Sequence, residues 1–330
     1  MARHGLQVSG LQAASADASF RRYLRVPSAQ GSLIVMDAPP PQEDVRPFVE
    51  VAYRMAQAGL PGPQVLEVDA EHGFLLLSDL GQTLLLPVLQ SSPPAQADAW
   101  MRQALGLLVQ WQSRMSTQGL PAFNEAMLQR ELDLFPQWCV QKEYGVQWTD
   151  AQSQAWQQIC DRLIRSALAQ PVVAVHRDWM PRNLMVTRQT QATEPQGLAI
   201  LDFQDAVAGP LSYDVASMLR DAFLSWDEER EIDWAVRYWE QARQAGLPVP
   251  EDFGEFWRAL EWMGLQRHLK VLGIFCRLKH RDGKPKYATD LPRFFAYATK
   301  VALRYRELSA LLPLIEPLSG FRPEVGYSLR

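Results

Sequence analysis

The stretch HRDWMPRNLMV, His176 to Val186, sets a carboxylate, Asp178, shortly before a carboxamide, Asn183. An apolar run, PVVAV, leads into it. Further on, a second carboxylate, Asp202, follows the apolar run Leu198 to Leu201. These are the side chains that phosphoryl transfer requires. One carboxylate accepts or orients the proton of an attacking hydroxyl. An amide oxygen and a second carboxylate hold Mg²⁺ against nucleotide phosphates, because that ion takes hard oxygen ligands. All three must sit on stiff backbone, since this catalysis is mostly positioning and charge neutralisation. On this chemistry Asp178 is the base, and Asn183 and Asp202 are the Mg²⁺ ligands. His176 braces the loop by hydrogen bonding. The plain alternative is three unrelated polar residues in loops, and the two flanking apolar runs together with the second aspartate weigh against it.

Such a site needs a hairpin, with Asn183 entering its first strand and Asp202 leaving its second. The stretch NLMVTRQTQATEPQGLAILDFQDA reads as that hairpin, two strands joined by a polar loop. Upstream, Leu6 to Val26 reads as short strands around a polar turn, SADAS (Ser15 to Ser19). SLIVMDAP is a further strand. DVRPFVEVAYRMAQAG carries apolar residues at Phe48, Val51, Ala52 and Met55, a helical spacing that Gly59 ends. QVLEVDA and GFLLLSDL are two more strands, and this strand-rich part stops near Gly81. The composition then changes. Helices are expected over 95–116, 125–144 and 151–170, and almost everything from Tyr213 onward is helical in pattern. The expected class is α+β: a small antiparallel-sheet N-terminal lobe, 1–80, and a larger helical C-terminal lobe, 81–330.

Bulk properties bound the function. A chain of 330 residues with formal net charge -4 has no overall attraction to nucleic acid or to an anionic membrane. The three cysteines are widely spaced and form no C-x-x-C, which argues against a disulfide framework or a zinc site and for a reducing cytoplasm. The start lacks the apolar core of a signal peptide, and no run is long and apolar enough for a transmembrane helix. The eleven tryptophans are read as packing residues before sugar-stacking ones. Nothing in the sequence speaks to an oligomeric state.

HRDWMPRN fits H-R-D-x-x-x-x-N, a protein-kinase catalytic-loop pattern. VVAVHRDWMPRNLMV together with LAILDFQDAVAGPLSYDVASML resembles the aminoglycoside phosphotransferase and choline kinase family, which shares the protein-kinase fold. Within that family DASFRRYLRV, LIVMDAPP, GFLLLSDLG and QRHLKVLGIFCRL most resemble bacterial cell-wall-recycling sugar kinases. The resemblance covers most of the chain. It implies ATP and Mg²⁺ as cofactors, Asp178 as base, Asn183 and Asp202 as metal ligands, and Ser78, Asp79 and Leu80 as the adenine-contacting hinge. Asp214, in GPLSYDVASML, matches a buried aspartate that braces the catalytic loop, and Asp205 is a supporting or metal-binding candidate. The implied acceptor is the anomeric hydroxyl of N-acetylmuramate or N-acetylglucosamine. A same-fold kinase of an aminoglycoside or amino alcohol, and a nucleotide-binding pseudokinase, are the rivals.

Two departures from the family stand out. The strand lysine that grips nucleotide phosphates should fall in LIVMDAP, and no lysine precedes Lys142. Arg21, Arg22 and Arg25 are the candidate replacements, with backbone N–H groups of the turn that ends at Ser19. Gln204 stands where a glycine usually follows Asp-Phe, which suggests a fixed metal loop. For the acceptor, the segment from Arg258 to Glu307 carries twelve Lys/Arg against four Asp/Glu, a balance that repels polycations and favours an amino sugar bearing a carboxylate. Arg267 and His268 are the candidates for sugar contact there.

Overall fold

The computed structural model describes residues 6, 8–16, 20–29, 31–187 and 197–319. In chain order its first strands and helix are β1 (Gln12–Ala16), β2 (Arg22–Ser28), β3 (Gly31–Asp37), α1 (Arg46–Gln57), β4 (Val65–Asp69) and β5 (Phe74–Ser78). Then come α2 (Leu85–Ser91), α3 (Pro94–Arg114), α4 (Glu125–Leu134), α5 (Asp150–Leu168), β6 (Val172–Val175), β7 (Leu184–Val186), β8 (Leu198–Ile200) and β9 (Val207–Pro210). The rest is helical: α6 (Ser212–Leu219), α7 (Glu228–Gln244), α8 (Phe253–His280), α9 (Leu291–Arg304) and α10 (Leu312–Ser319).

The chain forms two compact units. One comprises residues 1–121 and 172–249, the other 122–171 and 250–330. In the first, five strands make an antiparallel sheet in the order β1-β2-β3-β5-β4. Val26, Met36, Leu75 and Leu77 are buried there, and α1 turns Phe48, Val51, Ala52 and Met55 inward as its spacing predicts. Gly59 stops α1. It sits at φ 64°, and the N–H of Leu60 returns to the Met55 carbonyl at 2.9 Å. In the same unit α3 buries Met101, Leu105, Leu108 and Trp111, and the Trp111 indole donates to the Ala174 carbonyl of β6 at 2.9 Å. β7 and β8 form the expected hairpin, and its polar loop, 188–196, lies outside the described residues. β9 has no strand signature in VAGP; it pairs antiparallel with β6 over Val172↔Pro210 to Val175↔Val207.

The second unit is helical. Three of its helices begin at side-chain caps: Asn124 on α4, Thr149 with Gln152 on α5, and Asp252 on α8. The sequence pattern predicts one helix over 125–144. The structure keeps α4 to Leu134 and continues as a π-helix over Phe135–Glu143, where the Tyr144 N–H reaches back to the Cys139 carbonyl at 3.2 Å. Pro136 is the local cause: it has no N–H to extend the regular ladder. Cys139, Cys160 and Cys276 are all buried thiols, and no helix among the described residues is long and apolar enough to cross a membrane.

Candidate active site

Every residue named for the phosphoryl-transfer chemistry lies in the first unit, so the site is assembled by β6, the hairpin and the five-stranded sheet. β6 ends at Val175 and passes into His176, which is 1% exposed. The backbone N–H of His176 donates to Asp214 Oδ2 at 2.6 Å, and that of Arg177 donates to Oδ1 at 3.0 Å. Asp214 is fully buried in the first turn of α6, so both of its oxygens meet a donor without water. This clamp holds Arg177 at φ 76°, a left-handed conformation that few residues with a Cβ adopt.

The His176 ring joins the two ends of the site. Its Nε2 donates to the Leu201 carbonyl at 2.9 Å, and its Nδ1 accepts from the Asp178 N–H at 3.3 Å. A carbonyl only accepts and an amide N–H only donates, so the ring is neutral with its proton on Nε2. Burial pushes the imidazole pKa below its ordinary value, against the opposing pull of the Asp178 and Asp202 charges. Trp111 and Trp179 hold the ring edge-on at 5.4 and 5.5 Å between centroids.

Asn183 closes the short turn Pro181–Asn183 at the start of β7. Its side-chain Nδ2 donates to the Asp178 carbonyl at 2.9 Å and lies 3.4 Å from Asp202 Oδ2. The hairpin register adds a backbone tie, Leu201 N–H to the Asn183 carbonyl at 2.9 Å. Asp202 sits at φ 60°, the second left-handed residue of the site. Gln204 Nε2 donates to Asp202 Oδ1 at 2.9 Å and to Asp205 Oδ2 at 3.2 Å, so Asp205, itself exposed, is tied to Asp202 through an amide. Phe203 is buried against Phe48 of α1, centroids 4.7 Å apart. The donor set suits Mg²⁺. The Asn183 amide nitrogen is directed at both the Asp178 carbonyl and Asp202 Oδ2, so its Oδ1 is the end left to meet a cation. Among the described residues no group of three or more His, Cys, Asp or Glu stands together as a metal cage.

The nucleotide candidates separate. Ser19 lies outside the described residues. Arg22 turns to Asp37 and its side chain is 72% exposed. Arg25 makes a two-pronged pair with Asp79, at 2.6 and 3.0 Å, and a third bond to the Gly81 carbonyl at 2.6 Å. Asp79 also accepts from Ser32 Oγ at 2.5 Å and from the Gly81 N–H at 3.0 Å. Burial raises the Asp79 pKa, but these hydrogen bonds outweigh it and hold the carboxyl below its ordinary range. Ser78 is fixed as well: its hydroxyl accepts from the Gln64 N–H at 2.9 Å. Leu80 is half-buried beside them. Arg21 is the arginine that reaches Asp202, with Nη2 4.0 Å from Asp202 Oδ1 and Nε 3.6 Å from Glu43 Oε2. Glu43 carries no sequence signal, being one acid in the proline-rich stretch APPPQED. Met36, in the strand where a lysine would be sought, is buried in the core.

Arg267 and His268 belong to the other unit. Both are buried in α8, and the His268 ring stacks on Tyr297 with centroids 4.7 Å apart. The basic segment is more neutral than its sequence suggests. Arg258, Lys270, Lys279, Arg281, Arg293 and Arg304 each have a carboxylate partner, and two of those, Glu131 and Glu143, come from outside the segment.

An antiparallel sheet followed by a catalytic-loop strand and hairpin defines a protein-kinase-like phosphotransferase fold. An ethanolamine kinase of Plasmodium vivax shares it at TM-score 0.59 and 11% identity, over 95% of this chain and 83% of that one. The model of the phosphotransferase enzyme family matches residues 10–263, and the chain belongs to that family. It is 49% identical over 310 residues to an N-acetylmuramate/N-acetylglucosamine kinase of Pseudomonas putida, covering 94% of this chain and 88% of that relative. It is 50% identical over 305 residues to the kinase of the same description from Pseudomonas aeruginosa, covering 92% and 87%.

Proposed function

We propose that this chain is an ATP-dependent kinase that phosphorylates the anomeric hydroxyl of N-acetylmuramate and N-acetylglucosamine, in the cytoplasm, during peptidoglycan recycling. The observation that carries the phosphoryl-transfer half is the Asn183 side chain, which meets the Asp178 backbone and the Asp202 carboxylate together. The half-identity to two N-acetylmuramate/N-acetylglucosamine kinases over nearly the whole chain supports the acceptor. Residues 1–80 would bind the nucleotide, with Ser78 to Leu80 against adenine, and residues 81–330 would carry catalysis and the acceptor site.

In this mechanism Asp178 accepts the proton of the sugar hydroxyl as its oxygen bonds to the terminal phosphorus of ATP, and the bond from that phosphorus to the bridging oxygen breaks to release ADP. An anomeric hydroxyl is more acidic than an ordinary alcohol, which eases transfer of its proton to a carboxylate. Asn183 and Asp202 are the residues that would hold Mg²⁺, which would supply charge neutralisation at the phosphates. His176 stays neutral and keeps the backbones of Asp178 and Leu201 in register. Asp214 keeps Arg177 in its left-handed turn.

The test is ADP release with purified protein over N-acetylmuramate, N-acetylglucosamine, their 1-O-methyl glycosides, kanamycin and choline. Turnover is expected with the two free sugars only, and only with Mg²⁺. Equal turnover with the methyl glycosides would remove the anomeric hydroxyl as acceptor, and turnover on kanamycin or choline alone would replace the sugar.

A further inference from the structure

Protein kinases grip ATP with a lysine on the third strand, paired to a glutamate of the helix that follows. Neither half of that pair exists here. β3, Gly31–Asp37, contains no lysine. The glutamate of α1, Glu50, is 59% exposed and bonds Arg54 one turn along the same helix. The phosphate-gripping charge must come from elsewhere.

Three arginines stand near the start of β2, and their partners sort them. Arg22 is largely in solvent, its guanidinium paired to the buried Asp37. Arg25 is neutralised by Asp79 and tied to the Gly81 carbonyl. Arg21 is 12% exposed and spans two carboxylates: Nε faces Glu43 at 3.6 Å and Nη2 faces Asp202 at 4.0 Å. Glu43 also accepts from the Phe20 N–H at 3.3 Å, so one carboxylate holds both the backbone and the guanidinium where the chain enters β2. We propose that Arg21, held by Glu43, supplies the nucleotide-phosphate grip in place of the strand lysine.

The physical case has three parts. A guanidinium keeps its charge at every working pH, and its planar fork matches phosphate oxygens. A largely buried cation acts in a medium of lower effective dielectric than water. Phosphate oxygens that chelate an ion held by Asp202 fall within a few ångströms of Asp202, the distance at which Nη2 already stands. Arg21 is then a nucleotide-binding residue and Glu43 a positioning residue. Relative to a strand lysine and a helix glutamate, the pair has moved to the residue just ahead of β2 and to the loop ahead of α1.

The inference rests on Asp202 as the Mg²⁺ ligand, and it can be tested apart from the sugar. MgATP and AMP are titrated onto the full chain and onto Arg21→Ala, Arg21→Lys, Glu43→Gln and Glu50→Gln. Arg21→Ala is expected to weaken MgATP at least tenfold and AMP less than twofold, with Arg21→Lys recovering part of the loss. Glu43→Gln should weaken MgATP severalfold and Glu50→Gln not at all. In turnover, Arg21→Ala should raise the KM for ATP far more than the KM for sugar. Equal weakening of ATP and AMP, or a larger effect from Glu50→Gln than from Glu43→Gln, overturns the proposal. Loss of sugar turnover in the unmodified chain would sink the acceptor assignment while leaving the ATP-against-AMP comparison readable.

Discussion

At the scale of single residues, the site depends on hydrogen bonds that fix backbone rather than on strong charge. The neutral His176 ring joins the Asp178 backbone to Leu201, and Asp214 secures His176 and Arg177 from beneath. Asp178 therefore presents its carboxylate from a loop whose turns are decided by other residues. Asp178→Asn keeps that scaffold and removes only the carboxylate proposed as proton acceptor. Turnover should fall by about 10²–10⁴-fold, the range for losing a general base, with ATP affinity within twofold of the parent. Single-turnover phosphorylation alongside nucleotide titration checks this, and unchanged turnover removes Asp178 from the role. The grouping of Asp178, Asn183 and Asp202 was legible in the sequence because residue type and spacing carry it, and the Asn183 side chain meets the Asp178 backbone and the Asp202 carboxylate. Glu43 was not: an acid that works by meeting an arginine 22 positions away leaves no local pattern.

At the scale of elements, strands and helices that carry their own periodicity were legible, and those that borrow from neighbours were not. α1 declares itself through Phe48, Val51, Ala52 and Met55 and ends where Gly59 can turn. β9 is a strand only because β6 offers it partners. α8 meets the backbone of Leu134 so closely that a Cβ on Gly273 would lie 2.4 Å from the Leu134 carbonyl carbon. Gly273→Ala should therefore cost about 1–3 kcal/mol as an overpacked contact, read as a lower midpoint in urea. An unchanged midpoint would mean that α8 shifts freely. The segment after β5 has a pH signature. The Asp79 pKa is depressed in the fold, so its contribution is present above the unfolded value near 4 and lost as pH falls through the folded value. Stability measured from pH 7 to pH 3 should drop at the acid end in the parent chain. Asp79→Asn should be less stable at pH 7 and show a shallower acid limb; parallel curves would remove Asp79 as the source.

At the scale of the whole molecule, charge distribution changes between sequence and structure. Twelve basic residues between Arg258 and Glu307 look like an anion-attracting surface until half are found beside carboxylates. The segment therefore exerts a weaker general field on a charged acceptor than its sequence suggests. Ligand binding should appear in the stability of the chain. MgATP is expected to raise the melting temperature, since a ligand bound only by the folded state stabilises it by mass action. Asp202→Ala should abolish the part of that rise that requires Mg²⁺. An undiminished Mg²⁺-dependent shift in the variant would move the metal site away from Asp202.

By itself the sequence determined the phosphotransferase chemistry, the α+β class and most element positions, because each is written in residue types at short spacing. The tertiary structure decided which arginine stands beside Asp202, which acid holds it, and which of the basic residues are already neutralised. Those are pairings between segments far apart in the chain. Their energies depend on distance and burial, and neither is encoded in local order.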